Sequence, residues 1–140
     1  MIIFCTERFK AEYKKLTKQN AYRDLQNELI DNFFYRSDDQ ISYGAKISGT
    51  NTKRLVKKRI AGRGGYRVYF YAYVLDNKVF LSYLYPKTGP VGKMAINDEF
   101  ETLIMEETLE AIDSNDLFEV TVVDRRLNFT PTGSNSDALN

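Results

Sequence analysis

The chain has 140 residues, of which 43% are apolar, and a formal net charge of +1, which is the size and composition of one globular domain. It contains no histidine and a single cysteine, Cys5. These counts exclude histidine-based acid–base and nucleophilic catalysis and most catalytic zinc sites, and they leave no partner for an intramolecular disulfide. No segment is long and apolar enough for a signal-peptide core or a membrane span, so we expect a cytoplasmic protein with no membrane partner.

Charge is distributed unevenly along the chain. Residues 1–45 have a net charge of zero, residues 46–93 a net charge of +10, and residues 94–140 a net charge of −9. The basic segment contains eleven Lys and Arg residues and one acidic residue, Asp76, with aromatic residues interleaved. Such a pattern is typical of a surface that binds RNA or DNA. The acidic C-terminal part is expected to fold against this basic face and shield it.

The first third of the chain predicts a strand followed by helices. Ile2, Ile3 and Phe4 indicate a short strand, and helical periodicity then begins at Thr6. A second helical pattern covers residues 21–34, and we expect the two helices to form a hairpin. Residues 35–52 are polar and predict a loop.

The basic segment predicts three antiparallel strands over residues 53–60, 66–75 and 78–85. A glycine-rich turn joins the first two, and Asp76 with Asn77 makes a tight hairpin between the last two. A capping pattern at Asp98 and Glu101 predicts a helix to about residue 112, and a last strand is expected over residues 117–123. Residues 128–140 predict a flexible tail.

The predicted fold class is therefore α+β, with a small antiparallel sheet packed against an N-terminal helical hairpin and a C-terminal helix. We expect a single domain over residues 1–127, with a C-terminal extension from about residue 113.

Alternation along the strands sorts the charges of the basic segment onto faces. In the second strand Arg67 and Tyr71 share one face, while the opposite face is mostly apolar and should pack on the helices. If the neighbouring strands align without a shift, one outward face combines cationic and aromatic side chains. Its members would be Lys57, Arg59, Arg67, Tyr71, Tyr85 and Lys87.

A face of this kind could cleave RNA as well as bind it. Attack by the RNA 2′-OH on the adjacent phosphate requires a base, positive charge for the phosphorane and an acid for the leaving 5′-oxygen. Arginine supplies permanent charge in bidentate geometry, and a lysine crowded by other cations has a lowered pKa and can act as a base. Because histidine is absent, Lys, Arg and Tyr are the remaining candidates for these roles.

Four segments together resemble RelE/HigB-like toxins of bacterial type II toxin–antitoxin systems, within the RelE/ParE superfamily. MIIFCTERFKAEYKK (1–15) is similar to the opening strand and first helix of these toxins, and LVKKRIA (55–61) to their basic strand. GRGGYRV (62–68) resembles their Arg-Gly-Gly-Tyr-Arg turn, and VFLSYLYPK (79–87) the strand that ends in a lysine. The resemblance covers about residues 1–112.

The resemblance implies a RelE-like endoribonuclease that cuts mRNA on the ribosome, uses no metal or cofactor, and is silenced by a cognate antitoxin protein. It implies Lys57 and Arg59 as substrate-binding or base residues, Arg67 as the phosphate-stabilising residue, and Lys87 as a further charge or the acid. Additional RNA-binding residues are expected nearby. They are Lys53, Arg54, Lys58, Arg63, Tyr71, Tyr85 and Lys93.

Other interpretations of the same residues stay open. A ParE-like toxin that binds a protein target such as gyrase is one alternative, and a non-catalytic RNA-binding module is another. For Tyr71, packing in a core or an interface is the alternative to base stacking.

Overall fold

The computed structural model describes residues 1–62 and 64–133. Its helices are α1 (Glu7–Thr17), α2 (Leu25–Phe33), α3 (Asp38–Ser42) and α4 (Asp98–Ser114), and a 3₁₀ turn spans Asn20–Tyr22. Its strands are β1 (Ile2–Cys5), β2 (Ala45–Gly49), β3 (Lys53–Ile60), β4 (Tyr66–Tyr73), β5 (Lys78–Pro86), β6 (Phe118–Val123) and β7 (Arg126–Pro131). The predicted α+β class is thus correct.

The strands form one seven-stranded mixed sheet in the order β2-β3-β4-β5-β1-β6-β7. β1 runs parallel to β5 and antiparallel to β6, so the N-terminal strand lies between the basic hairpins and the C-terminal hairpin. The predicted small antiparallel sheet is therefore wrong. Two segments without a strand signal extend the sheet: β2 pairs with β3 where a loop was expected, and β7 pairs with β6 where a tail was expected from residue 128. Within that predicted tail, residues 134–140 lie outside the described part of the chain.

The N-terminal helices do not form the predicted hairpin. The 3₁₀ turn separates α1 from α2, and both helices pack on the sheet. α1 contacts β5, while α2 contacts β3 near one end of the strand order and β7 at the other. The sheet therefore curls around α2, and the buried apolar residues of both helices belong to one core with the sheet.

Both faces of the sheet are covered. The first face, called the helix face here, packs against α1 and α2 and carries the larger core, including Phe9, Leu25 and Phe33. The second, called the tyrosine face, packs under α4 around Ile104. Burial on both sides explains why β4 and β5 are buried almost throughout instead of alternating. The buried residues of the tyrosine face are Leu55, Tyr69, Tyr71, Phe80, Tyr83, Tyr85, Ile104 and Leu117.

α4 begins one residue earlier than its capping pattern predicts. The N-cap is Asn97, whose side chain accepts a hydrogen bond of 2.8 Å from the Phe100 N–H. The helix ends at Ser114, and its C-cap residue Asn115 adopts a left-handed φ of +55°. A bidentate ion pair joins α4 to α1: Arg8 on α1 donates from Nε (2.6 Å) and Nη2 (2.7 Å) to the Glu107 carboxylate on α4.

No helix in residues 1–62 or 64–133 combines the length and the apolar character that a bilayer crossing requires.

Candidate nucleic-acid interface

Strand register brings three of the predicted site residues side by side. Arg59 on β3 lies opposite Arg67 on β4, and Arg67 in turn lies opposite Tyr85 on β5. Lys57 lies opposite Tyr69 on the same ladder. Side chains directly opposite each other in antiparallel strands point to the same face, about 5 Å apart at Cβ. These cations therefore share the tyrosine face, at the end of the sheet near the β3–β4 turn.

A bulge between β4 and β5 does not disturb this arrangement. The register shifts between Tyr69 and Phe70, and Ser82 is the extra residue on β5. The pairs Tyr69–Tyr83 and Arg67–Tyr85 remain in step on the near side of the bulge. The change of register therefore affects only the part of β4 and β5 beyond Tyr69, and the pairs near the β3–β4 turn keep their alignment.

The β3–β4 turn sets the relation between the two arginines. Ala61 has a left-handed φ of +65°, and Gly65 one of +56°. A Cβ on Gly65 would lie 2.2 Å from the Ile60 carbonyl oxygen, so only glycine fits there. The Arg67 guanidinium donates from Nη1 to the carbonyl oxygens of Gly64 (3.2 Å) and Tyr66 (3.4 Å), which orients it along the strand end.

Lys87 joins this group from the end of β5. Its backbone N–H donates to the Gly65 carbonyl oxygen at 3.0 Å, and its Nζ donates to the Met94 carbonyl oxygen. Partial desolvation, followed by the positive charges of Arg67, Lys57 and Arg59, lowers the pKa of the Lys87 ammonium below its ordinary value. We call Lys57, Arg59, Arg67 and Lys87 the cation cluster.

The cation cluster has no acidic partner of its own in the described chain. The four ion pairs within residues 1–62 and 64–133 involve Met1, Arg8, Lys15 and Arg125 as the positive groups. Like charges directly opposite on a ladder are destabilising, as Arg59 and Arg67 are here. The repulsion between these two arginines would be relieved by a bound anion such as a phosphate group, so the arrangement is suited to binding one.

The tyrosines predicted to bind RNA are not surface groups. Tyr71 is 5% exposed and Tyr85 is 1% exposed, because α4 and its preceding loop pack over them. Neither ring can stack on a base in this conformation, which corrects the prediction of an outward aromatic surface. The Tyr85 hydroxyl is buried and makes no hydrogen bond within the described residues. The rings of Tyr69 and Tyr85 instead make cation–π contacts with Lys57, whose Nζ lies 5.7 Å from the centroid of Tyr69 and 6.0 Å from that of Tyr85.

Three of the predicted RNA-binding cations lie away from the cation cluster. Lys58 points to the helix face, is 7% exposed, and donates to the Gln40 and Ile41 carbonyl oxygens. Arg54 is also on the helix face by alternation, and its Nη2 donates to the Ser42 carbonyl oxygen at 3.3 Å. Lys53 is exposed on the tyrosine face but at the opposite end of β3, about 20 Å from Arg59 along an extended strand.

Lys93, another predicted RNA-binding residue, lies in the loop that follows β5. Lys93 is exposed, and its backbone N–H donates to the Pro86 carbonyl oxygen at 2.9 Å, which closes the loop that follows Lys87. Arg63 lies outside the described residues.

Among the described residues, the acidic C-terminal part covers the tyrosine face through α4 and the residues that flank it, Ile96 and Leu117. Glu101 of α4 accepts a hydrogen bond of 2.6 Å from the Tyr69 hydroxyl, and burial, followed by this bond, raises the pKa of that hydroxyl. Residues 118–131 form β6 and β7, which β5 and β1 separate from β4. The expected shielding by the whole acidic part is therefore wrong for these two strands.

Tyr22 supports the candidate site but belongs to no motif that the sequence reveals. Tyr22, 4% exposed, donates from its hydroxyl to the Thr88 carbonyl oxygen at 3.0 Å and accepts from the Val91 N–H at 3.0 Å. Gly89 allows this approach, since a Cβ there would lie 2.7 Å from the Tyr22 hydroxyl. Tyr22 thus anchors the loop that begins at Lys87, from a helical segment more than sixty residues away.

Metal-ligating side chains are not grouped in the described ranges. In residues 1–62 and 64–133, no three or more Cys, Asp or Glu side chains come together in a way that could hold a metal ion.

Comparison of the chain with protein-family models, with curated proteins and with solved structures found no match.

Proposed function

We propose that the protein is the toxin of a toxin–antitoxin pair and cleaves mRNA on the ribosome. The proposed partners are ribosome-bound mRNA and a cognate antitoxin protein, and the proposed location is the cytoplasm. The resemblance of residues 55–68 and 79–87 to RelE/HigB-like toxins supports this proposal, together with the geometry of the cation cluster.

The cation cluster is the observation that carries the proposal. Four cations, Lys57, Arg59, Arg67 and Lys87, share one end of one sheet face without an acidic partner in the described chain. Partial desolvation, followed by the neighbouring cations, lowers the pKa of the Lys87 ammonium, so it gives up its proton more readily than an ordinary lysine. This combination supplies both permanent charge and a group able to exchange a proton.

The proposed reaction uses the nucleophile of the RNA itself. A basic group, for which Lys57 and Lys87 are the candidates, removes the 2′-OH proton, and the 2′-oxygen attacks the adjacent phosphorus. Arg67, with Arg59 beside it, stabilises the negative charge of the phosphorane. The bond from phosphorus to the 5′-oxygen then breaks, and a protonated lysine returns a proton to that oxygen. The products are a 2′,3′-cyclic phosphate and a 5′-hydroxyl.

The test is cleavage of mRNA on programmed ribosomes by purified wild-type protein and by Arg67→Ala. We expect cleavage by the wild type and a loss of about 10²–10³ in rate for Arg67→Ala, the usual cost of removing a group that stabilises transition-state charge. The matched control is Arg54→Ala, which removes an arginine from the helix face of the neighbouring strand.

Three outcomes separate the candidate functions. Cleavage that Arg67→Ala abolishes and Arg54→Ala retains supports the endonuclease. Intact mRNA bound tightly by the wild type would favour the non-catalytic RNA-binding module. Inhibition of gyrase supercoiling without any mRNA cleavage would favour the ParE-like alternative.

A further inference from the structure

A cleft lined by two basic side chains, Arg36 and Lys58, lies beside the helix face of the sheet, away from the cation cluster. It has a volume of about 410 Å³ and is lined by Asn32, Arg36, Asp39, Gln40, Tyr43 and Lys58. We infer that this cleft binds a singly charged carboxylate carried on an apolar group. The inference does not depend on the proposed endonuclease function, because none of these residues belongs to the cation cluster.

Lys58 supplies a buried cation without a counter-charge. Its Nζ donates to the carbonyl oxygens of Gln40 (2.7 Å) and Ile41 (3.1 Å) and lies 5.0 Å from the centroid of the Phe33 ring. These partners are all neutral, and no carboxylate in the described chain pairs with Lys58. An ammonium has three N–H donors, so one remains after these two bonds. A buried charge without an opposite charge is costly, and an anion in the cleft would reduce that cost.

Arg36 places a second positive charge at the same cleft. It lies between α2 and α3, and its Nε donates to the Asp31 carbonyl oxygen at 3.1 Å. Burial, followed by repulsion from Arg36, lowers the pKa of Lys58 to about 8. An anion bound between Lys58 and Arg36 would oppose both effects, since it favours the charged lysine and screens the repulsion.

The groups around the cleft favour a monoanion. Lys58 on β3 and Arg36 face Asp39 on α3, which gives the lining a formal net charge of +1. Glu28 on α2 interacts with Arg36 electrostatically without lining the cleft. A doubly charged phosphate would be repelled by Asp39, whereas one carboxylate balances the net charge.

The exposed ring of Tyr43 favours an apolar body on the ligand. Tyr43 lines the cleft and has 77% of its surface exposed, whereas Phe33 is buried under Lys58 and does not line the cleft. An exposed ring beside a buried cation offers apolar contact next to a charge, as an aromatic or aliphatic carboxylate requires.

The direct test measures binding of benzoate, benzamide and inorganic phosphate to the full chain by calorimetry. We expect benzoate to bind, and benzamide and phosphate to bind at least tenfold more weakly. Benzoate affinity should fall about tenfold between pH 7 and pH 9, because the protonated fraction of a lysine with a pKa near 8 falls by that factor. A peptide ending in phenylalanine and its C-terminal amide distinguish a peptide carboxylate from a free acid as the source.

Three variants make the test specific. Lys58→Met should weaken benzoate binding at least tenfold, and Arg36→Gln, at an exposed residue, should weaken it severalfold. Lys15→Met, on the exposed side of α1, is the control and should bind as the wild type does. Equal affinity for benzoate and benzamide, unchanged affinity in Arg36→Gln, equal affinity for phosphate, or no binding of benzoate to the wild type would each overturn the inference.

Discussion

Lys57 and Lys58 are adjacent in the chain but lie on opposite faces of the sheet. Lys57 belongs to the cation cluster, whereas Lys58 is buried against α2 and α3. The strand places one lysine where it can meet a phosphate and the other where it stabilises carbonyl groups at the end of α3. The charge of a residue alone therefore does not assign it to the candidate site, and its position in the strand ladder does.

Because Lys58 is buried, we expect the free energy of unfolding to increase as the pH rises. Its folded-state pKa of about 8 is below its ordinary value of 10.5, so between these values the unfolded chain binds more protons than the folded chain. The charged Lys58 side chain therefore destabilises the folded state by its full amount below pH 8, and this destabilisation decreases as the pH rises toward 10.5. Between pH 7 and pH 9.5 we expect the wild type to gain on the order of 2 kcal/mol relative to Lys58→Met.

Urea unfolding of the wild type and Lys58→Met at both pH values measures this difference. Lys15→Met serves as the surface control, and its difference from the wild type should change by less than about 0.5 kcal/mol. A pH-independent difference between wild type and Lys58→Met would show that the buried ammonium does not carry this cost.

Lys87 should respond to the removal of a neighbouring charge. Since Arg59 is one of the groups that lower the pKa of Lys87, Arg59→Gln is expected to raise that pKa. An NMR titration of the Lys87 side chain checks this, with Lys53→Gln at the far end of β3 as the control. An unchanged pKa in Arg59→Gln would mean that the two side chains do not approach each other as described.

At the scale of elements, α4 decides whether the tyrosine face is closed. Ile104 is 1% exposed against that face, and Leu103, its neighbour on the helix, is 40% exposed. Ile104→Ala should therefore destabilise the protein by about 2–4 kcal/mol, whereas Leu103→Ala should cost about 1 kcal/mol or less. Chemical denaturation of the pair measures both values. Equal effects would contradict the packing of α4 described above.

The loop after β5 is a second element on which the site depends. Tyr22→Phe removes one hydroxyl that makes two hydrogen bonds to this loop, and we expect a loss of about 1–3 kcal/mol in stability. Cleavage should fall as well, because the loop carries Lys87 into the cation cluster. Tyr43→Phe, at an exposed tyrosine, is the control for both measurements. Full cleavage by Tyr22→Phe would show that the anchor is not needed.

At the scale of the whole molecule, local patterns predicted the elements better than the sheet. The three strands of the basic segment begin at Lys53, Tyr66 and Lys78 as expected, and alternation placed Arg59 and Arg67 on one face. Strand order could not be predicted, because the parallel pairing of β1 with β5 joins segments about 76 residues apart and leaves no local signal. Core packing of Tyr71 was one of the two interpretations of the sequence, whereas the burial of Tyr85 was not predicted, because it depends on where α4 packs.

The position of the C-terminal strands also changes how the acidic part can be tested. Val120 on β6 and Leu127 on β7 belong to the larger core, at 2% and 9% exposure. Deleting residues from 113 onward would therefore remove core and sheet as well as negative charge. Substitutions that neutralise the acidic side chains of α4 while leaving the core intact are the suitable way to study how these charges affect the tyrosine face.

The central claim is that strand register, together with the loop that holds Lys87, brings four cations of the basic segment into the proposed RNA-cleavage site and leaves Lys53 and Arg54 out. The most direct measurement compares cleavage rates on programmed ribosomes for alanine variants of Lys57, Arg59, Arg67 and Lys87 with those of Lys53 and Arg54. We predict losses of at least tenfold for each of the first four, and rates within about threefold of wild type for the other two. Losses of similar size in both groups, or no loss in the first, would contradict the account.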